Sequence, residues 1–137
     1  MVQILDIAAL KAALVYAALL ILMLPVLAGA VIARRRSRRI GLGDGGDKDL
    51  ARWIRIHGNF AETAPFGIAA LSGLAVSGAG AATVHIIGAG FLLGRIAHAQ
   101  GLASSGGVSA GRAAGMVLTL TALIAAAVII LWRCLAA

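Results

Sequence analysis

Residues Ala12 to Arg39 read A-A-L-V-Y-A-A-L-L-I-L-M-L-P-V-L-A-G-A-V-I-A-R-R-R-S-R-R. From Ala12 to Ala33 there is no charge, and as a helix that run spans about 30 Å, the thickness of a bilayer's hydrocarbon core. It stops at five arginines in six residues, the pattern of a stop-transfer and orientation signal. Pro25 in its middle predicts a kink or local distortion. The run lacks a basic segment before it and is longer than a cleavable leader, so it is expected to stay in the protein.

The rest of the chain fits the same reading. Hydrophobic residues make up 61% and charged residues 12% of the 137, which is membrane composition rather than that of a soluble core. The net charge of +7 sits beside apolar segments without interleaved aromatics, so it points to orientation in a membrane and not to nucleic acid. A single cysteine, Cys134, excludes an intramolecular disulfide.

Four helices are predicted, over about 8–33, 49–76, 82–102 and 112–133, in one transmembrane domain covering 1–137 with up-down connectivity. Residues 34–48 form the first loop. Its four glycines between Gly41 and Gly46 forbid a stable helix, and Asp47 or Asp49 is placed to cap the next one. Ser77 to Ala81 is a tight turn, and Ser104 to Gly111 a short polar loop. Gly90 and Gly94 form a Gly-x-x-x-Gly pair suited to close helix approach. The end carrying loops 1–2 and 3–4 holds ten of the twelve Lys and Arg residues. The positive-inside rule makes those loops cytoplasmic and sets both termini outside.

Segment 2 opens R-W-I-R-I-H-G-N-F-A-E-T-A-P from Arg52 to Pro65. On a helix, Arg52, Arg55, Asn59 and Glu62 fall within roughly 80° of one another, a polar stripe running into an apolar segment. Around a hairpin turn centred near Ala79, Arg95 lies sixteen residues after and Glu62 seventeen before. The two are therefore level and expected to pair, roughly 8 Å inside the cytoplasmic face, with His98 near Asn59. Intramembrane ionisable groups are functional candidates by default, although such a pair could also be a simple clasp between helices. Pairing leaves Arg55, Asn59 and His98 over, with Arg52 and Arg34 at the border. Excess positive charge beside neutral donors suits a ligand bearing carboxylates, and the start of helix 2 adds a favourable dipole. His57 and His85 read as packing or interfacial residues. The histidines and the glutamate lack metal-ligand spacing, so no metal site is expected. Cys134 lies on the far side of the membrane from the stripe, so any nucleophile must come with the ligand.

These residues resemble the membrane-associated proteins in eicosanoid and glutathione metabolism, the MAPEG family. The likeness rests on Arg55-x-x-x-Asn59-x-x-Glu62-x-x-Pro65, and it extends to Gly43-Asp-Gly-Gly46, His85-Ile-Ile-Gly88 and Gly94-Arg95-x-x-His98-x-x-Gly101, as in a short bacterial branch. It implies a homotrimer of four-helix subunits in a bacterial inner membrane, with glutathione as co-substrate bound between neighbours. By position, Arg34, Arg55, Asn59, Glu62, Arg95 and His98 look like glutathione-binding residues. Arg112 looks like the residue that stabilises the thiolate. The implied activity is that of a glutathione transferase or peroxidase acting on a lipophilic substrate. The family's tyrosine after the helix 2 glutamate is Thr63 here, two tyrosines of helix 3 correspond to His98 and Leu102, and Ser109 stands where eicosanoid-type members have an arginine. Loss of those hydroxyls leaves open a non-catalytic binding or scaffold protein that holds a membrane lipid or partner. A small transporter with Arg95, Glu62 and His98 as a relay is disfavoured, because only one polar stripe is present.

Overall fold

The computed structural model describes residues 6–105, 107 and 109–136, so Gly106 and Val108 of the 3–4 loop lie outside the described residues. Four α-helices follow one another: α1 (Ile7–Arg38), α2 (Lys48–Val76), α3 (Ala81–Ser104) and α4 (Ala110–Leu135). No strand occurs among the described residues. The helices run alternately up and down. Helices α2 and α3 touch each other and both flanking helices, while α1 and α4 do not meet among the described residues. Helices α1, α3 and α4 are each long and apolar enough to cross a membrane. Helix α2 matches them in length, but its first half carries the polar stripe.

The bundle is inverted relative to a soluble protein. Large apolar side chains such as Leu22, Val26, Ile86, Val117 and Ile124 point outward, as suits a surface covered by lipid or by a neighbouring subunit. The interior of the end where α1 begins is built from small residues, among them Ala9, Ala12, Ala13, Ala75 and Ala126, which let backbones approach. The half nearer the arginines has larger members, including Leu20, Ile56, Phe60 and Phe91. The Phe91 ring fills the space that a Cβ on Gly67 would need, and the Tyr16 ring does the same at Gly88.

Caps explain the helix ends. Asp6 accepts from the Ala8 and Ala9 amides through Oδ1 and from the Ala81 amide through Oδ2, so one carboxylate tops both α1 and α3. Asp47, one of the two predicted caps, accepts from the Leu50 amide at 2.7 Å. Helix α1 does not stop at Ala33. It runs on to Arg38, because arginine is a good helix former and because Arg34 and Arg38 find partners on α2. It ends at Arg39 in the left-handed conformation (φ 55°), whose amide bonds back to Arg35 and Arg36. The loop is therefore 39–47 rather than 34–48. Both Pro25 and Pro65 lie inside unbroken helices, with their rings exposed.

Candidate functional site

The first turns of α2, the last turn of α3 and the start of α4 meet at the end of the bundle that carries the arginines. Lys48, Arg52 and Arg55 share one face of α2, since spacings of four and three residues bring them within about 60°. With Ala51, Leu102, Ser105 and Arg112 they line a cleft of about 370 Å³. Four cations and no carboxylate therefore border one space. Arg52 is anchored, its Nη1 donating to the Ala103 carbonyl at 3.2 Å, whereas Arg55 and Arg112 are exposed. Both α2 and α4 begin at this end, so their N-terminal dipoles add to the preference for anions.

A second cavity of about 280 Å³ adjoins the first and shares Arg112, with His98, Ser109, Ala113 and Met116 as its other walls. Glycines make this junction possible. A Cβ on Gly101 would strike the backbone of Gly111 and Arg112, and one on Gly115 would strike the backbone of Gly94 and His98. Contact that close lets the buried His98 reach the Arg112 carbonyl at 3.2 Å through Nδ1. A carbonyl can only accept, so Nδ1 is the donor in this bond. Ser109 caps α4 by accepting from the Arg112 amide, and it donates its own hydroxyl to the Gly101 carbonyl. Of the predicted Gly90/Gly94 pair only Gly94 sits at a helix contact. Gly90 has open space, and the close-approach glycines are Gly94, Gly101 and Gly115.

Deeper in the bundle lies Arg95, only 2% exposed. Its Nη1 donates to Asn59 Oδ1 and Thr63 Oγ1, both at 2.8 Å, and its Nε donates to Thr119 Oγ1 at 3.1 Å. Each hydroxyl passes its own proton to a backbone carbonyl, Thr63 to Asn59 and Thr119 to Gly115. One guanidinium thus ties α2, α3 and α4 together, and Nη2 is left without a partner among the described residues.

The expected Glu62–Arg95 pair does not form. The two residues are level, but Arg95 meets the side of α2 that carries Asn59 and Thr63. Glu62 is turned about 100° from Thr63, is exposed, and joins no ion pair among the described residues. Arg34 is likewise elsewhere. It donates to Asp49 Oδ2 at 2.9 Å and to the Ala30 carbonyl at 3.1 Å, and it lies 4.0 Å from the centre of the Trp53 ring. Asp49 and Trp53 occupy the face of α2 opposed to α1, so Arg34 ties those two helices and lines neither cavity. Arg38 adds ion pairs to Asp47 and Asp49. Of the predicted set, Asn59 and Arg95 are in contact, Arg55 and Arg112 share the cationic cleft, and His98 and Arg112 share its neighbour. Lys48, Thr63 and Thr119 were not anticipated. The first could have been read from its spacing to Arg52 and Arg55. Thr63 could have been read from its place four residues after Asn59. His85 pairs with Tyr16 at the opposite end, with Nδ1 and the hydroxyl 3.3 Å apart.

The model of the MAPEG family matches residues 13–132. Two curated proteins, each named Inner membrane protein YecN, from Escherichia coli K12 and from Escherichia coli O6:H1, are 38% identical to the chain over 86 residues. That stretch is 63% of this chain and 66% of each relative, so the chain spans just under two thirds of their length.

Proposed function

The chain belongs to the MAPEG family and is an integral membrane protein, and from that premise we propose that it is a glutathione-dependent transferase or peroxidase of the inner membrane. The arginine-rich end faces the cytoplasm in this reading, where glutathione is available, and the working unit is a homotrimer. The observation that carries the proposal is the cationic cleft of Lys48, Arg52, Arg55 and Arg112 opening beside the cavity of His98, Ala113 and Met116. Glutathione offers two carboxylates, an amine and a thiol. The carboxylates suit Lys48, Arg52 and Arg55, since arginine takes a carboxylate in a two-pronged fork. Arg112, common to both spaces, would then stand beside the sulfur.

Lowering the thiol pKa by one to two units requires about 1.4–2.8 kcal/mol, within reach of one well-placed arginine. The thiolate attacks an electrophilic carbon of a lipophilic substrate in the adjoining cavity. A carbon–sulfur bond forms, the leaving group departs with its electron pair, and the thiol proton goes to solvent. Glu62, exposed on α2, would complete the site across a subunit interface in the trimer by taking the ligand's amine.

One observation favours the second reading, a non-catalytic binding protein of the same fold. The chain's only tyrosine, Tyr16, bonds to His85 at the far end, so no phenol reaches the cleft. Mixing purified protein with glutathione separates the two. The catalytic reading expects a rise in thiolate ultraviolet absorbance that Arg112→Ala abolishes. Binding without that rise, and without turnover of any model electrophile, would leave only the second.

A further inference from the structure

The five arginines at the end of α1 divide into two groups. Arg34 and Arg38 are consumed by Asp47 and Asp49. Arg35, Arg36 and Arg39 have no carboxylate partner among the described residues; Arg35 donates only to the Gly43 carbonyl, at 2.8 Å. The remaining acid nearby, Asp44, accepts from the Gly46 amide instead. With Ile40 and Gly41, the three free cations line a cleft of about 350 Å³ that shares no residue with the cavities of the proposed active site.

Two further facts bear on what that cleft holds. Arg39 sits at φ 55°, a conformation that glycine would adopt without strain, so a charged side chain stands where the backbone alone would favour none. Below Arg36 on the same face of α1 lie Ala33, Gly29, Val26 and Leu22, all exposed and within about 80° of one another. From Leu22 to Arg36 the helix rises about 21 Å, enough to line one leaflet of a bilayer and reach its headgroup layer. A smooth apolar track therefore leads to Arg36, and the cleft it shares with Arg35 and Arg39 opens beside the end of that track.

We propose that Arg35, Arg36 and Arg39 hold the phosphodiester of an anionic phospholipid whose acyl chains lie along the Leu22–Ala33 face of α1. Charge complementarity selects the anionic headgroup, and the apolar track selects a lipid over a free phosphate. The site is independent of the glutathione reading and stands or falls separately from it.

Native mass spectrometry of the protein in detergent micelles tests this, because orientation in a membrane plays no part there. The protein is offered phosphatidylglycerol, phosphatidylethanolamine or inorganic phosphate. The expected result is selective retention of phosphatidylglycerol, weakened about fivefold by each arginine replaced, in Arg39→Gly and then in Arg36→Gln/Arg39→Gly. Arg39→Gly relaxes the backbone, so a loss there is not a folding defect. Arg133→Gln, at the opposite end, should change nothing. Equal retention of both lipids, undiminished retention in the double variant, or phosphate binding as well as the lipid would each overturn the proposal.

Discussion

Replacing Gly101 with alanine probes the contact on which the site geometry depends. A Cβ there would lie 2.8 Å from the Gly111 carbonyl carbon and 2.9 Å from the Arg112 Cα, and closer still to the Arg112 amide nitrogen. All three are backbone atoms, so no side chain can rotate aside and α4 must move. Overpacking of this kind costs about 1–3 kcal/mol, and rigid backbone on both sides puts the cost near the upper value. Alanine returns about 1 kcal/mol in helix propensity, leaving a net loss of about 2 kcal/mol. For a chain of this size that corresponds to a melting point lower by roughly 6–8 °C, read by circular dichroism in detergent. The same displacement carries Arg112 away from His98, so glutathione affinity should fall with stability. Gly90→Ala is the control: with nothing within 4 Å of the new methyl, it should melt at or slightly above the parent. A Gly101→Ala protein as stable as the parent and unchanged toward glutathione would refute the argument that close α3–α4 contact builds the site.

Thr119→Val keeps the shape but removes the acceptor of the Arg95 Nε bond, leaving a second buried guanidinium nitrogen unsatisfied. The expected cost is about 1.5–3 kcal/mol, seen as a lower melting point, while Thr121→Val on the same helix should be close to neutral. At the mouth of α2, the Leu50 amide that it caps holds the Asp47 carboxyl below its ordinary value of 3.8, with Arg38 adding to the effect. A depressed folded-state value means stability present above about pH 4 and lost as the pH falls through the folded value. Acid melting curves of the parent should therefore fall more steeply below about pH 4 than those of Asp47→Asn, and superimposable curves would contradict that role.

Much of the architecture was legible because it depends on local chemistry. Uncharged runs of membrane length, glycine-rich breaks and the bias of arginines to one end specify four alternating helices without knowledge of their packing. Depth was legible too: counting from the turn at Ala79 correctly placed Arg95 level with the polar stripe of α2. Rotation about the helix axis was not. It depends on which neighbour each face meets, and that decided that Arg95 would bond Asn59, Thr63 and Thr119 rather than Glu62. The extension of α1 through Arg38 is not legible in the sequence for a related reason. Its cause is Asp47 and Asp49, which lie across a loop and become partners only once α1 and α2 pack. Gly90 and Gly94 looked equivalent in spacing, yet only the face bearing Gly94 meets α4.

The central claim is that the cleft bordered by Lys48, Arg52, Arg55 and Arg112 takes the carboxylates of glutathione. Titration calorimetry of glutathione into the detergent-solubilised parent and the Lys48→Gln/Arg55→Gln variant tests it most directly, since Arg55 is exposed and neither replacement is expected to disturb the bundle. Saturable heat in the parent, lost in a variant with an unchanged melting curve, is the predicted result. Equal binding by both proteins, or none by either, would contradict it.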